Sequence, residues 1–113
     1  MLKYTKSGSA AERPGTVPKK RERSVERAGD RRVKALGGIG KKQNGWGYNS
    51  YPDKMYMKPG VSKVLWVEYK RDEKQKPTPG QLEVHKLLRK YGQTVIVTHD
   101  PDIVAEAFQR LCD

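Results

Sequence analysis

The sequence has one cysteine, Cys112, and two histidines, His85 and His99, so it can build neither an internal disulfide nor a thiolate–imidazole zinc cage. Apolar residues are scarce at 35%, and no run of them approaches the roughly 18–20 residues of a bilayer-spanning helix. The start lacks the apolar stretch of a secretory signal. These absences argue against a membrane enzyme or an exported disulfide scaffold and lead us to expect a cytoplasmic location. At 113 residues there is room for one small domain and a tail. What is abundant is positive charge, 24 Lys and Arg against 13 Asp and Glu, a net of +11. Such a balance seeks polyanions through many phosphate contacts and counterion release. Residues 1–42 hold 13 basic and 4 acidic side chains, a net of +9, which leaves +2 for the other 71 residues. The acids of that second part need a separate explanation.

Residues 1–18 mix Ser, Gly, Thr, Pro and Lys without a helical or strand period and read as a flexible basic N-terminal arm. From Lys19 to Leu36 the residues Val25, Ala28, Arg32 and Leu36 step at helical spacing, with Val33 beside them, and Gly37-Gly38 supplies a stop. A weak strand and a Gly- and aromatic-rich loop over Asn44–Pro52 follow. Lys54–Lys58 and Lys63–Lys70 alternate large apolar residues around Pro59-Gly60-Val61-Ser62, which predicts a hairpin. Thr78-Pro79-Gly80-Gln81 has the layout of a capping box at the head of a second helix, with Val84, Leu87, Leu88 and Tyr91 as its apolar stripe. Gln93–Thr98 reads as a buried strand, and Val104, Ala107, Phe108 and Leu111 as one face of a closing helix behind an Asp100-Pro101 cap. The predicted architecture is an α/β fold in α-β-β-β-α-β-α order, a small mixed sheet flanked by helices.

Pairing Lys58 with Lys63 across the hairpin sets Met55 opposite Trp66 and Asp53 opposite Glu68, with Lys70 on the same side. Two opposed carboxylates repel, so the arrangement has no evident structural benefit unless a cation sits between them. Mg²⁺ or Mn²⁺ is held by one or two carboxylates, leaving positions for water and substrate phosphate. Glu68-Tyr69-Lys70 alone is weak, because a Glu-x-Lys triplet is expected about once by chance in this composition. Its place at the end of Val64-Leu65-Trp66-Val67, fifteen residues after Pro52-Asp53 in a chain whose charge seeks phosphodiesters, gives it weight.

Together, Glu26 on a helix ending in Gly37-Gly38, Pro52-Asp53, Glu68-Tyr69-Lys70, Gln81 and the strand after Gly92 resemble the PD-(D/E)xK nuclease superfamily. Within it they resemble the virus-type replication-repair nuclease domain, VRR-NUC, from about Val25 to Ala107. The resemblance implies a restriction-endonuclease-like core over 19–113 that hydrolyses DNA with Mg²⁺ or Mn²⁺. It implies Asp53, Glu68 and the Tyr69 carbonyl as metal ligands, with Lys70 assisting the nucleophile. Glu26 would reach the same site from the first helix, and Gln81 would orient Lys70 or the substrate. The chain departs from the family pattern at Tyr48-Asn49-Ser50-Tyr51, bulky where a compact Gly-rich turn is the rule. Stand-alone members resemble dimeric resolvases of branched DNA, such as four-way junctions in repair and recombination, so a homodimer and a branched substrate are expected.

Each residue has a plainer reading. Glu26 is also an i,i+4 partner on an exposed helix, Asp53 a turn residue, Glu68 and Lys70 a salt-bridged edge, and Gln81 a cap. Lys19, Lys20, Arg21, Arg23, Lys41, Lys42, Arg71, Lys74 and Lys76 are expected to contact phosphates collectively. Trp46, Tyr48 and Tyr51 either stack on unpaired bases or pack on their own fold. His85 is expected on a helix surface and His99 in a turn. The competing reading of the whole is a non-catalytic basic nucleic-acid-binding module, and RNA is an alternative target.

Overall fold

The structure is a computed structural model that describes residues 16–43 and 50–113; the side chains of 16–21 lie outside the described residues too. Its elements are α1 (Thr16–Ala35), β1 (Ile39–Lys42), β2 (Lys54–Met57), β3 (Leu65–Tyr69), α2 (Pro79–Lys90), β4 (Thr94–Thr98) and α3 (Pro101–Cys112). This is the expected order, and the sheet runs β1-β2-β3-β4. The first three strands form an antiparallel meander, and β4 joins β3 in parallel, with α2 as the crossover. The helix α1 starts at Thr16, so the last three residues of the expected arm over 1–18 are already helical, and the rest of it lies outside the described residues.

The hairpin keeps the predicted register, Met55 facing Trp66. Its strands are shorter than expected, because Lys58–Val64 leave the ladder. The Val61 amide donates to the Lys58 carbonyl at 3.1 Å, and Gly60, at φ 80°, provides the left-handed residue that a turn after Pro59 requires. At the end of α1, Gly37 (φ 90°) caps the helix while the Gly38 amide donates to Val33 at 2.9 Å.

Alternation along the strands divides the sheet into two unlike faces. Tyr56, Leu65, Val67 and Tyr69 are buried with Val33 of α1 and Val104 and Phe108 of α3, and this is the hydrophobic core. The opposite face, bearing Trp66, Glu68 and Val95, lies under α2. Among the described side chains of α1 the buried positions are Gly29 and Val33, whereas Arg32 is exposed and ion-paired with Asp102 of α3. Lys54, 8% exposed, is held by Asp30 at 3.2 Å and Glu26 at 3.5 Å, so the buried ammonium has two carboxylate partners. Tyr56 donates its hydroxyl hydrogen to Asp30 at 2.6 Å, so the 2.6 Å contact between the two tyrosine hydroxyls has Tyr69 as donor. These bonds tie α1 to β2 and β3 directly behind Glu68.

The apolar stripe of α2 differs from the expected one. Leu87 is 47% and Tyr91 74% exposed, and the fully buried residue is His85, flanked by half-buried Gln81, Val84 and Leu88. Periodicity alone phased the helix on its large apolar side chains, whereas the polar groups of the sheet's second face set the phase in the fold.

A carboxylate pair and a buried lysine at the end of β3

Asp53 lies just before β2, Glu68 near the end of β3 and Lys70 just after it, on the face beneath α2. The Asp53 carboxylate Oδ2 accepts the Tyr69 amide hydrogen at 2.8 Å, which ties the residue before β2 to the Glu68–Tyr69 peptide. Glu68 is 2% and Lys70 6% exposed, so the salt-bridged solvent edge considered above does not describe them. Burial first, and the Asp53 charge second, push the Glu68 carboxyl up to about 7. Asp53 is raised as well, by burial and by the charges of Glu26 and Glu22, although the Tyr69 amide bond and Lys70 oppose the shift. Two acids that burial makes harder to ionise, Glu68 further so by the charge of Asp53, form a site that a cation stabilises.

Gln81 organises the rest. Its Oε1 accepts from Lys70 Nζ at 3.2 Å and from the Thr78 amide at 2.9 Å, while its Nε2 donates to Glu68 Oε2 at 2.9 Å. The Gln81 amide donates in turn to Thr78 Oγ1 at 3.1 Å, which completes the capping box. The capping and orienting roles therefore coexist in one side chain. Lys70 Nζ also lies 3.5 Å from Glu68 Oε2, and its own amide donates to the Thr98 carbonyl of β4. Glu68 Oε1 is buried without a hydrogen-bond partner; the polar atom facing it is His85 Nε2, 3.8 Å away and unpartnered too.

Glu26 reaches toward the site from α1 while paired with two lysines. Its carboxylate is engaged by Lys42 at 3.3 Å and Lys54 at 3.5 Å, and it acts on Asp53 through its charge. One turn earlier on the same helical face, Glu22 raises both Asp53 and Glu68. Its i,i+4 spacing from Glu26 was the signal in the sequence that could have marked it. His85 was missed as well. It is 1% exposed, and burial, with Arg89 and Lys70, lowers its pKa. Its position four residues after Gln81 places it on the same face of α2, the only cue to its location.

The donor set fits Mg²⁺ or Mn²⁺ in chemistry: hard carboxylate oxygens on Asp53 and Glu68, with the Tyr69 backbone carbonyl next to Glu68 in the chain. Among the described residues no group of three or more His, Cys, Asp or Glu side chains converges as a ready cage. Two carboxylates and water are the usual complement for Mg²⁺, so the fit rests on Asp53 and Glu68.

Two clefts flank this centre. Arg23, Glu26, Arg27 and Lys42 line one of about 310 Å³, and Lys70, Asp72, Gln75, Lys76 and His99 line much of another of about 230 Å³. Lys41 and Lys74 are exposed, and Arg71 lies 3.7 Å from Asp72. Lys19, Lys20, Arg21, Trp46 and Tyr48 lie outside the described side chains. The Tyr51 ring rests on Trp66 at 5.9 Å, so this aromatic packs on its own fold. His99 lies exposed in the bend after β4, as expected. No described helix is long and apolar enough to cross a membrane.

No family model and no curated protein matches the sequence. Among solved structures, a VRR-NUC domain superposes with a TM-score of 0.70 at 32% identity, covering 79% of this chain and 95% of the other.

Proposed function

Since the chain belongs to the VRR-NUC family of nuclease domains, we propose that it is a divalent-metal-dependent endonuclease that hydrolyses DNA phosphodiester bonds. The observation that carries this reading is buried Glu68 beside half-buried Asp53 and buried Lys70 at the end of β3, a set of charges that costs stability unless a cation and a phosphate complete it. Asp53, Glu68 and the Tyr69 backbone carbonyl would hold Mg²⁺ or Mn²⁺, which supplies polarisation of the scissile phosphate and acidification of water.

Within that frame, Lys70 places an ammonium group at the reacting phosphate, where it stabilises attacking hydroxide or the charge that develops on the phosphoryl oxygens. Gln81 fixes the Lys70 amine and one Glu68 oxygen from a single amide, so base of helix and reactive groups keep one geometry. Glu22 and Glu26 add negative charge from α1, Glu26 while paired with Lys42 and Lys54. Arg23, Lys41 and Lys42 on one side, and Arg71, Lys74 and Lys76 on the other, are assigned to phosphates flanking the cut. The cleft lined by Arg23, Arg27 and Lys42, with the mixed-charge cleft of Lys70, Asp72, Glu73 and Lys76 on the other side, supports a nucleic-acid strand running across the acidic centre.

Branched DNA is the proposed substrate and a homodimer the proposed assembly, since two copies related by a two-fold axis would reach two strands symmetrically. The test is cleavage of labelled four-way junction, flap, linear duplex and matched RNA with Mn²⁺, Mg²⁺ or EDTA, using wild type, Lys70→Ala and Asp53→Ala. Cutting that needs metal, and that both variants lose while still binding DNA, is the expected result. Pure wild type that binds every substrate yet stays inert with either metal would instead make the protein a non-catalytic binding module.

A further inference from the structure

The nuclease reading leaves buried His85 without a task. His85 occupies the most buried position of α2, 1% exposed, against the sheet face that carries Glu68. Neither ring nitrogen has a hydrogen-bond partner. An unpartnered imidazole in such a slot costs stability, and a leucine would fill the same space without that cost. The helix nevertheless turns this histidine inward and leaves Leu87 and Tyr91 in solvent.

What the ring faces explains the choice. Glu68 Oε2 is already taken by Gln81 and Lys70. Glu68 Oε1 has no partner, and His85 Nε2 is 3.8 Å from it. That distance exceeds the roughly 2.7–3.2 Å of an N–H···O bond, but both groups are enclosed and have no competing partner, so a small rotation of ring or carboxylate joins them. A carboxylate gripped at both oxygens has one orientation. Carboxylates that ligate metals depend on such outer hydrogen bonds for their geometry and their basicity.

We propose that His85 is a positioning residue of the nuclease centre, holding Glu68 by Oε1 while Gln81 and Lys70 hold Oε2. The proposal rests on the nuclease reading above. It assigns no proton transfer to the imidazole; the tautomer carrying hydrogen on Nε2 serves Glu68 throughout.

The experiment compares wild type, His85→Leu and His85→Gln in three measurements: Mn²⁺ uptake by calorimetry, kcat and KM for DNA cleavage, and melting temperature in EDTA. Leucine keeps the packing and removes the donor, while glutamine restores an N–H of similar reach. In His85→Leu, Mn²⁺ affinity and kcat are expected to fall by about 10–100-fold, with KM for DNA and melting temperature maintained. His85→Gln is expected to recover most of both losses. The assignment is overturned if His85→Leu binds Mn²⁺ and cuts as wild type does. It is equally overturned if the leucine loss comes with a lower melting temperature and glutamine recovers nothing, the signature of a purely structural residue. Wild type that neither takes up Mn²⁺ nor cuts DNA removes the nuclease reading itself, a result distinct from either.

Discussion

Replacing Glu68 by glutamine should make the metal-free protein more stable while abolishing its response to metal. The fold raises the Glu68 carboxyl from 4.5 to about 7. Below pH 4.5 the group is protonated in both folded and unfolded chains, and its burial costs nothing electrostatic. Between those values the unfolded chain gives up its proton first, so stability falls as pH rises, and above pH 7 the loss is complete. A span of about 2.5 pH units at 1.36 kcal/mol each puts the loss on the order of 3 kcal/mol. The attraction of Lys70 is already contained in that position, so desolvation and Asp53 outweigh the ion pair. Glutamine keeps the shape and carries no charge. At pH 8 in EDTA, Glu68→Gln should therefore melt about 10 °C or more above wild type, and the difference should vanish near pH 4.5. Adding Mn²⁺ at pH 8 should raise the wild-type midpoint and leave the variant unmoved. Thermal melts by circular dichroism at the two pH values, with and without Mn²⁺, read all four numbers. A variant less stable than wild type at pH 8 in EDTA would mean that Glu68 stabilises the fold as an ion-pair partner, and the argument for a strained metal ligand would fail.

Gly29 has no room for a side chain, since a Cβ there would stand 2.0 Å from the Tyr69 hydroxyl; Gly29→Ala should cost about 1–3 kcal/mol in denaturant unfolding and lose the Tyr69–Tyr56 hydrogen bond. Gln81→Ala should lower stability by about 1 kcal/mol through the lost cap and, separately, reduce kcat by more than ten-fold through the freed Lys70. Thr78→Ala, which removes only the hydroxyl half of the cap, should match the first effect without the second. Glu22→Gln should lower Mn²⁺ affinity more than Glu26→Gln does, because the charge of Glu22 reaches both Asp53 and Glu68 while Glu26 is engaged by two lysines; calorimetric titration of the two variants distinguishes them, and an equal effect would contradict the placement.

The order of elements, the hairpin register and the capping box at Thr78 were legible along the chain, because each depends on residues close in sequence: alternation with period two, glycine stops, and a threonine three residues before a glutamine. The residues Asp53, Glu68 and Lys70 could be placed together for the same reason, since one turn and one register bring them to a single side. Gln81 was legible as a cap, but only its position across the sheet let the same amide grip Lys70 and Glu68. The phase of α2, the burial of His85 and the pairing of Glu26 with Lys42 and Lys54 were decided by tertiary packing. A helix has several faces of similar hydrophobicity, and which one turns inward depends on what the sheet presents to it. Here the sheet presents a buried carboxylate, and its demand for polar partners outweighs the gain from covering Leu87 and Tyr91.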